Sequence, residues 1–235
     1  TNLPVKVTIA QDWDSISKAL SSGTLDVAWL RAWDYVIANR NNASIQAIAT
    51  VNYKKRPVHY AVLITRANAP FNTLDEAIAQ SKSGKKLKLS LTDSNSAPGW
   101  LIPQAEFKRR NLEAKEIFDY SEGAREDNQA IAVITGQVDI ASDYDRNLDA
   151  LTSAKKLDTS KIKIIWQSVP LPNDAIVIRG SLPDDIKTTL KQALINFTPE
   201  QSQQFLPKNY TGFTASNGSN YASIQAAGAL MGKLK

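Results

Sequence analysis

The sequence predicts an α/β fold with largely parallel sheets. Segments of strand character alternate with segments of helical periodicity along the 235 residues, which is the pattern of α/β proteins. The length suits one large domain or two lobes of about 100 residues each. In the middle of the chain a strand-like run leads through a capped turn directly into a helix. Such strand-to-helix turns are common in α/β folds.

The first third of the chain contains both periodicities. Residues 5–10 alternate like a strand, and a short helix around residues 16–20 is ended by Gly23. Residues 25–30 form the apolar run of a buried strand, residues 33–38 a helix, and residues 44–51 and 58–65 two longer strands. Thr73 and Glu76 form a capping box that opens a helix to about residue 81.

The remaining elements follow the same alternation. We predict strands at residues 87–91, 115–119, 138–141, 161–167 and 173–178. We predict helices at residues 98–110, 124–135, 143–154, 182–196, 199–205 and 221–230.

The turn at residues 93–101 is the most informative local stretch. Ser96 is a good N-cap, and Pro98 suits the first helical turn, where a missing N–H is harmless. The helix that follows begins with free N–H groups and the positive end of its dipole, so the turn is a candidate anion site. An ordinary capped helix that binds nothing is the alternative.

The composition excludes several classes of function. Cysteine is absent, which excludes disulfides, thiolate metal sites and cysteine nucleophiles and is compatible with an oxidising compartment. His59 is the only histidine, so no histidine pair can bind a metal, and we predict neither metal nor cofactor. No nucleotide-binding or hydrolase motif is present. An enzyme that uses two carboxylates stays open.

The charge and hydropathy patterns set further limits. The net charge is +5, but the basic residues lie in small scattered groups, so a nucleic-acid surface is not expected. No apolar run reaches the length of a transmembrane helix, and the sequence does not open on a signal peptide.

Four segments resemble the substrate-binding proteins of phosphonate and phosphite ABC transporters. They are GTLDVAWL at residues 23–30, DSNSAPGWLIP at 93–103, GQVDIA at 136–141 and IWQSVPLPND at 165–174. Their order and spacing match the family. Members carry a further strand and helix before the segment equivalent to residues 5–10, so we expect either that this sequence is a fragment or that its lobe-one sheet is rebuilt.

The resemblance implies a type II periplasmic binding protein, in which two α/β lobes joined by two hinge strands close on a ligand. Lobe one would comprise residues 1–66 and 173–235, lobe two residues 67–172, and the hinges residues 62–66 and 176–179. The implied function is non-enzymatic capture of a small anion, a phosphonate, phosphite or related oxyanion, for an ABC permease. The protein would be monomeric, and periplasmic or tethered outside the cytoplasmic membrane.

The resemblance also suggests site residues. Ser96, Ala97 and Pro98 fall on the family's Ser-Thr-Ser cradle, and the N–H groups of Gly99 and Trp100 are expected to serve the anion. Ligand contacts are further implied for Trp13, His59, Glu126, Arg146 and Asp174. Trp29, Trp33 and Trp166 are interpreted as core residues.

Two departures from the family pattern matter. Ala97 and Pro98 lack the cradle hydroxyls, and Pro98 also lacks an N–H. Arg146 stands where the family has an acid that holds an amine. The positive charge of Arg146 would repel an aminoalkyl tail. In the other interpretation Arg146 forms a salt bridge with Glu126 or Asp143. Two rival functions stay open: a sensor or protein-interaction module, and an enzyme on the same fold.

Overall fold

The computed structural model describes residues 4–9 and 12–234, and only the backbone of residues 13 and 14. In chain order the strands are β1 (Val27–Leu30), β2 (Gln46–Tyr53), β3 (Val58–His59), β4 (Ala61–Arg66), β5 (Lys88–Thr92), β6 (Asp119–Ala124), β7 (Ile140–Tyr144), β8 (Ile162–Gln167), β9 (Leu171–Pro172), β10 (Ala175–Ile178) and β11 (Tyr210–Ala215).

The helices alternate with these strands over most of the chain. They are α1 (Trp13–Ser22), α2 (Ala32–Asn41), α3 (Leu74–Ser83), α4 (Ile102–Arg109), α5 (Ala114–Ile117), α6 (Glu126–Ile134), α7 (Asp145–Ser153), α8 (Asp184–Ile195), α9 (Pro199–Phe205) and α10 (Ala222–Leu230). A π-helical turn, Ala97–Leu101, precedes α4. Within the described residues, none of the helices has the length and apolar character needed to cross a membrane.

The chain divides into two compact units. Unit 1 comprises Thr1–Val58 and Pro172–Gln225, and unit 2 comprises His59–Leu171 and Ala226–Lys235. The predicted lobes divide at other residues, and the lobe organisation stays a prediction. The segments predicted as hinges are strands, since β4 belongs to the sheet of unit 2 and β10 to that of unit 1, and their hinge role stays a prediction.

Unit 1 is built on an antiparallel sheet of four strands in the order β1-β10-β2-β11. Its apolar core lies against α8, whose Ile186, Leu190 and Leu194 pack on β2 and β10 side chains such as Ile48 and Ile176. Helix α1 is closed at both ends by local chemistry: Asp12 Oδ1 accepts from Ser15 N–H at 2.7 Å, and Gly23 takes φ 76°.

Unit 2 has a mixed sheet of five strands in the order β6-β5-β7-β4-β8. Strand β5 runs parallel to β6 and β7, whereas β4 runs antiparallel to β7 and β8. The carboxyl ends of β5, β6 and β7 therefore meet at one edge of the sheet. On one face, α6 and α7 cover an apolar core that includes Val62, Ile64, Ala130, Ala141 and Leu148.

The α/β class is confirmed, and most predicted elements are present within a few residues of their expected ends. The expectation of largely parallel sheets is wrong, because every strand pair of the unit 1 sheet and two pairs of the unit 2 sheet are antiparallel. The strand expected at residues 115–119 is mostly the short helix α5, and strand β11 was not predicted.

The strand predicted at residues 5–10 is also wrong for residues 5–9, which are the part of it that the structure describes. Residues 5–9 have no regular secondary structure, and residue 10 lies outside the described residues. Val5, Val7 and Ile9 are 80%, 82% and 92% exposed. An alternating segment forms a strand only where a neighbour pairs with its backbone and a core receives its apolar face, and within the described residues neither reaches this segment.

Candidate functional site

The turn after β5 is the centre of the candidate site in unit 2. Asp93 opens it, since its carbonyl accepts from Ser96 N–H at 2.9 Å and its Oδ1 accepts from Asn95 N–H at 2.8 Å. Ser96 is extended, with φ −87° and ψ 119°, and caps the following turn as its sequence predicts. The chain then winds through the π-helical turn into α4.

The N–H groups of this turn are used differently from the prediction. Ser96 Oγ accepts from Gly99 N–H at 3.2 Å, and Ser96 carbonyl oxygen accepts from Trp100 N–H at 3.1 Å. The expectation that Gly99 and Trp100 keep free donors for an anion is therefore wrong, because the cap itself takes them. Ala97 N–H, at the first position of the turn, makes no hydrogen bond within the described part of the chain.

Ser142 on β7 holds the turn against the sheet. Its hydroxyl donates to the Gly99 carbonyl at 2.5 Å and accepts from Thr92 N–H at 3.2 Å. Gln129 on α6 reaches the same place, donating to the Ser90 carbonyl at 3.1 Å. Gly99 also approaches Thr92 so closely that a Cβ at Gly99 would lie 2.0 Å from Thr92 Oγ1. The turn is thus fixed by packing that only glycine permits at this position.

Trp100 points into a polar network of unit 2 rather than serving as an exposed platform. The residue is 8% exposed, and its indole N–H donates to Glu122 Oε2 at 2.5 Å. The hydroxyl of Tyr120 also donates to Glu122, and the Lys233 ammonium lies 5.0 Å from the Trp100 ring centroid. Burial, followed by the Glu122 carboxylate, raises the pKa of Tyr120.

The first turns of α6 and α7 lie at the same sheet edge, because they follow β6 and β7 directly. Glu126 is the first residue of α6, and its carbonyl accepts from Asn147 Nδ2 at 3.4 Å. Asp145 opens α7, where its Oδ1 accepts from Tyr60 N–H and Arg146 N–H, both at 2.9 Å. Two helix N-termini therefore accompany the turn at residues 96–101.

Asp143, the last residue but one of β7, is a buried carboxyl that the sequence did not single out as a site residue. Its Oδ1 accepts from Tyr144 N–H at 2.8 Å and from Asn147 Nδ2 at 2.9 Å. Its Oδ2 is buried without a hydrogen-bond partner among the described residues. Burial raises the pKa of Asp143 to about 7, and Glu126 and Asp127 add to the rise, while the two hydrogen bonds oppose it.

His59 and Arg146 meet on Tyr144. The His59 ring, 5% exposed, lies edge-to-face with the Tyr144 ring at a centroid distance of 5.8 Å. The Arg146 guanidinium lies 5.8 Å from the centroid of the same ring. The structure brings these two predicted residues to one aromatic side chain, and their contact with a ligand stays a prediction.

Asp174 and Trp29 form a polar pair in unit 1. The indole N–H of Trp29 donates to Asp174 Oδ2 at 2.9 Å, while Thr50 Oγ1 donates to the Asp174 carbonyl at 3.1 Å. Trp29 was interpreted as a simple core residue, but it is partly exposed and orients a predicted site carboxylate. Trp29 lies on the opposite face of β1 from the buried Ala28 and Leu30, and this period of two was the sequence signal for its partial exposure.

A second carboxylate, Asp34, lies near this pair. Arg31 binds it through two hydrogen bonds, at 2.6 and 3.2 Å. Burial raises the pKa of Asp34, Arg31 opposes the rise and the charge of Asp174 adds to it.

The side chain of Trp13 lies outside the described residues. Trp33 is buried, as predicted, and Trp166 is partly exposed. No group of three or more metal-ligating side chains is found in the described chain.

The geometry defines an α/β protein whose polar site is made at strand ends rather than around a catalytic set. Solved structures of binding proteins share this fold. A binding protein component of an ABC phosphonate transporter from Pseudomonas aeruginosa superposes with a TM-score of 0.72 at 23% identity, covering 97% of this chain and 76% of that one. A Prochlorococcus marinus protein in complex with methylphosphonate gives 0.73 at 19% identity, covering 95% and 85%.

The sequence comparison identifies the family. The family model described as the periplasmic substrate-binding protein of phosphonate ABC transporters matches residues 1–221. The phosphonates-binding periplasmic protein of Escherichia coli K12 is 30% identical over 223 residues, which cover 92% of this chain. The chain therefore belongs to the phosphonate-binding family of periplasmic substrate-binding proteins.

The resemblance drawn from the four motifs is confirmed by this match. The chain spans 64% of the length of its Escherichia coli relative. These relatives are substrate-binding components of transporters, so they do not favour the sensor or the enzyme alternative.

Proposed function

We propose that this chain captures a small oxyanion of the phosphonate class outside the cytoplasm and delivers it to an ABC permease. The proposal combines family membership with the site at the carboxyl edge of the unit 2 sheet. It assigns the anion to the turn at residues 96–101 and to the neighbouring first turns of α6 and α7. The molecule would act by binding and release.

The observation that supports this proposal most strongly is the convergence of three strand-to-helix turns. Strands β5, β6 and β7 run parallel, so the segments that follow them open at the same edge. Each helix start there carries the positive end of a dipole, which favours an anion.

The donor in the turn that we assign to the anion is Ala97 N–H. Ser96 Oγ and Ser96 carbonyl oxygen hold the N–H groups of Gly99 and Trp100, which leaves Ala97 N–H as the open donor at the start of the turn. A hydrogen bond from a backbone N–H to a charged oxygen contributes roughly 1.5–3 kcal/mol. Loss of the cradle hydroxyls at positions 97 and 98 is therefore compatible with anion binding through the backbone.

Calorimetry and thermal denaturation with a panel of anions test the function. The panel comprises methylphosphonate, 2-aminoethylphosphonate, phosphite, inorganic phosphate and a dicarboxylate. A ligand present at about 100 times its dissociation constant adds about 2.7 kcal/mol to the free energy of unfolding. A phosphonate or phosphite should raise the melting temperature most. Unchanged melting with every anion would contradict the proposal.

The substitution Ala97→Pro tests the assigned donor. Proline removes the N–H and is tolerated at the first helical position after an extended residue. We expect roughly 10- to 100-fold weaker binding of methylphosphonate, which corresponds to the loss of one such hydrogen bond.

A matched control is Ala114→Pro. Ala114 is likewise a buried alanine at the first position of a helix, α5, after the extended residue Glu113. It precedes β6, whereas the site lies beyond the carboxyl end of that strand, so Ala114→Pro should keep the affinity of the unmodified protein. Equal affinities of the two folded variants would show that Ala97 N–H does not serve the anion.

A further inference from the structure

Asp143 is the buried carboxyl for which the fold offers least compensation. Its side chain is fully buried. Oδ1 accepts two hydrogen bonds, from Tyr144 N–H and Asn147 Nδ2, while Oδ2 has no hydrogen-bond partner in the described part of the chain. An ionised carboxylate in such surroundings is unfavourable, and an oxygen without a donor is a position where a proton can reside.

The position of Asp143 places it beside the anion turn. The parallel register pairs Ser90 of β5 with Ala141 of β7, two residues before Asp143. The preceding residue, Ser142, donates directly to the carbonyl of Gly99 within the turn. Asn147 Nδ2, which donates to Asp143 Oδ1, also donates to the carbonyl of Glu126, so the Asp143 carboxyl lies at the starts of α6 and α7, to which the anion is assigned.

The charged groups around Asp143 favour its neutral form. From α6, Glu126 and Asp127 add negative potential, and from α7 the amide of Asn147 supplies one hydrogen bond. The residue opposite it on β4 is Val62, which carries no charge. Arg146, on the first turn of α7, places its guanidinium near the Tyr144 ring. Burial, followed by the charges of Glu126 and Asp127, raises the pKa of Asp143 to about 7, and the hydrogen bonds from Asn147 and from Tyr144 N–H oppose the rise.

We propose that Asp143 is a positioning residue that couples anion binding to protonation: when an oxyanion occupies the turn at residues 96–101, Oδ2 of Asp143 takes up a proton from solvent. The inference rests on the proposed function and goes beyond it. Two negative charges at the same sheet edge, one of them buried, repel each other, and protonation removes one of them. Anion affinity should then fall as the pH rises above 7, because the carboxyl must be reprotonated on binding.

The first measurement uses the unmodified protein. Methylphosphonate binding is followed by calorimetry near pH 7.5 in two buffers of different ionisation enthalpy, which reports the protons taken up per ligand. If the bound anion raises the pKa of Asp143 by about one unit, uptake at this residue is about half a proton. Asp143→Asn keeps the shape and the acceptor oxygen but cannot titrate, so it gives the ligand's own contribution.

The second measurement compares affinities over pH. Relative to Asp143→Asn, the unmodified protein should bind methylphosphonate about equally at pH 6 and roughly 5- to 10-fold more weakly at pH 8.5. The matched control is Asp139→Asn, directly before the opposite end of the same strand, where Asp139 pairs with Arg66 at 3.0 Å. It should retain the pH profile of the unmodified protein.

The outcomes separate the two proposals. Binding with the same pH profile and the same proton uptake in the unmodified protein and Asp143→Asn overturns the role of Asp143 and leaves the binding function intact. Absence of methylphosphonate binding in every protein at every pH overturns the assignment of a phosphonate to this site, and the coupling with it. If Asp143→Asn does not fold, uptake by the unmodified protein no greater than that expected from titration of methylphosphonate alone overturns the coupling.

Discussion

Replacing Gly99 by alanine should disrupt the anion turn by steric overlap alone. The added Cβ would lie 2.0 Å from Thr92 Oγ1, 2.8 Å from Thr92 Cγ2 and 2.9 Å from Thr92 Cβ. Thr92 cannot turn away, because it is fully buried and a β-branched side chain has few alternative rotamers. Either the turn must move off β5 or the strand must shift.

The magnitude follows from overpacking of a buried site. Inserting one methyl into a well-packed core costs typically 1–3 kcal/mol, and the contact at 2.0 Å places Gly99→Ala at the upper end. For a chain of this length, about 3 kcal/mol corresponds to a fall in melting temperature of roughly 6–12 °C. Methylphosphonate binding should be lost as well, since the Ser142 contact with the Gly99 carbonyl would be displaced.

A double-mutant cycle with Thr92→Ala identifies the clash as the cause. Thr92 Oγ1 has no hydrogen-bond partner among the described residues. Thr92→Ala should therefore lower the free energy of unfolding only by the contribution of one buried methyl group, roughly 1 kcal/mol. It also removes the two atoms Oγ1 and Cγ2. The double variant should therefore be more stable than the sum of the two single effects by at least about 1 kcal/mol.

Denaturant unfolding followed by circular dichroism measures these free energies, with Gly84→Ala as the control. A Cβ at Gly84 meets no atom within 4 Å, so its substitution should change the free energy of unfolding by no more than about 0.5 kcal/mol. Strict additivity of Gly99→Ala and Thr92→Ala, or a Gly99→Ala protein as stable as Gly84→Ala, would refute the steric argument.

Two further predictions concern the polar groups. Arg146→Glu should shift the binding preference from tailless phosphonates toward 2-aminoethylphosphonate. Repulsion between the Arg146 guanidinium and the ammonium group of that ligand is on the order of 4 kcal/mol at about 4 Å and an effective dielectric of 20. Tight binding of 2-aminoethylphosphonate by the unmodified protein, measured by calorimetry, would contradict this prediction. Trp29→Phe removes the hydrogen bond to Asp174 Oδ2 and should lower the free energy of unfolding by roughly 1–3 kcal/mol, whereas Trp166→Phe serves as the indole control; equal losses would show that the bond contributes nothing.

The elements that sequence predicted well are those in which local chemistry and tertiary packing agree. Thr73 Oγ1 accepts from Glu76 N–H at 3.2 Å, and α3 begins where the capping box predicts. The segment at residues 115–119 shows the opposite case. Its short apolar run also fits one helical turn, and the strand begins only at Asp119, where pairing with β5 is available.

Strand β11 shows how sheet pairing overrides a weak local signal. Residues 210–215 contain Gly212 and lie beyond the fourth family motif, which ends at residue 174. Their strand state comes from pairing with β2, in a register that places Phe213 opposite Val51. Trp29 contacts both Tyr210 and Phe213 edge-to-face, at 5.7 and 6.2 Å. Such distant partners cannot be recognised from the segment itself.

The candidate site likewise has features that could be predicted from the sequence and features that could not. The capped turn could be predicted, because capping depends on residues within four positions of one another. Which N–H groups remain open could not, because the π-helical turn transfers the donors of Gly99 and Trp100 to Ser96. The environment of Asp143 is set by α6 and α7, and burial of a carboxyl is visible only after these helices pack.

The hydrogen bond made by the Ser96 hydroxyl shows which part of the motif at residues 96–98 builds the turn and which part could only add donors. Ser96 Oγ is already an acceptor for Gly99 N–H, so its first role is to build the turn, and a hydroxyl can still donate its own proton to an anion. Side-chain hydroxyls at positions 97 and 98 would be additional donors on a turn whose geometry does not need them. Their absence should therefore alter which oxyanion is preferred more than whether the turn forms, because Ser142 and the contact between Gly99 and Thr92 hold it independently of residues 97 and 98.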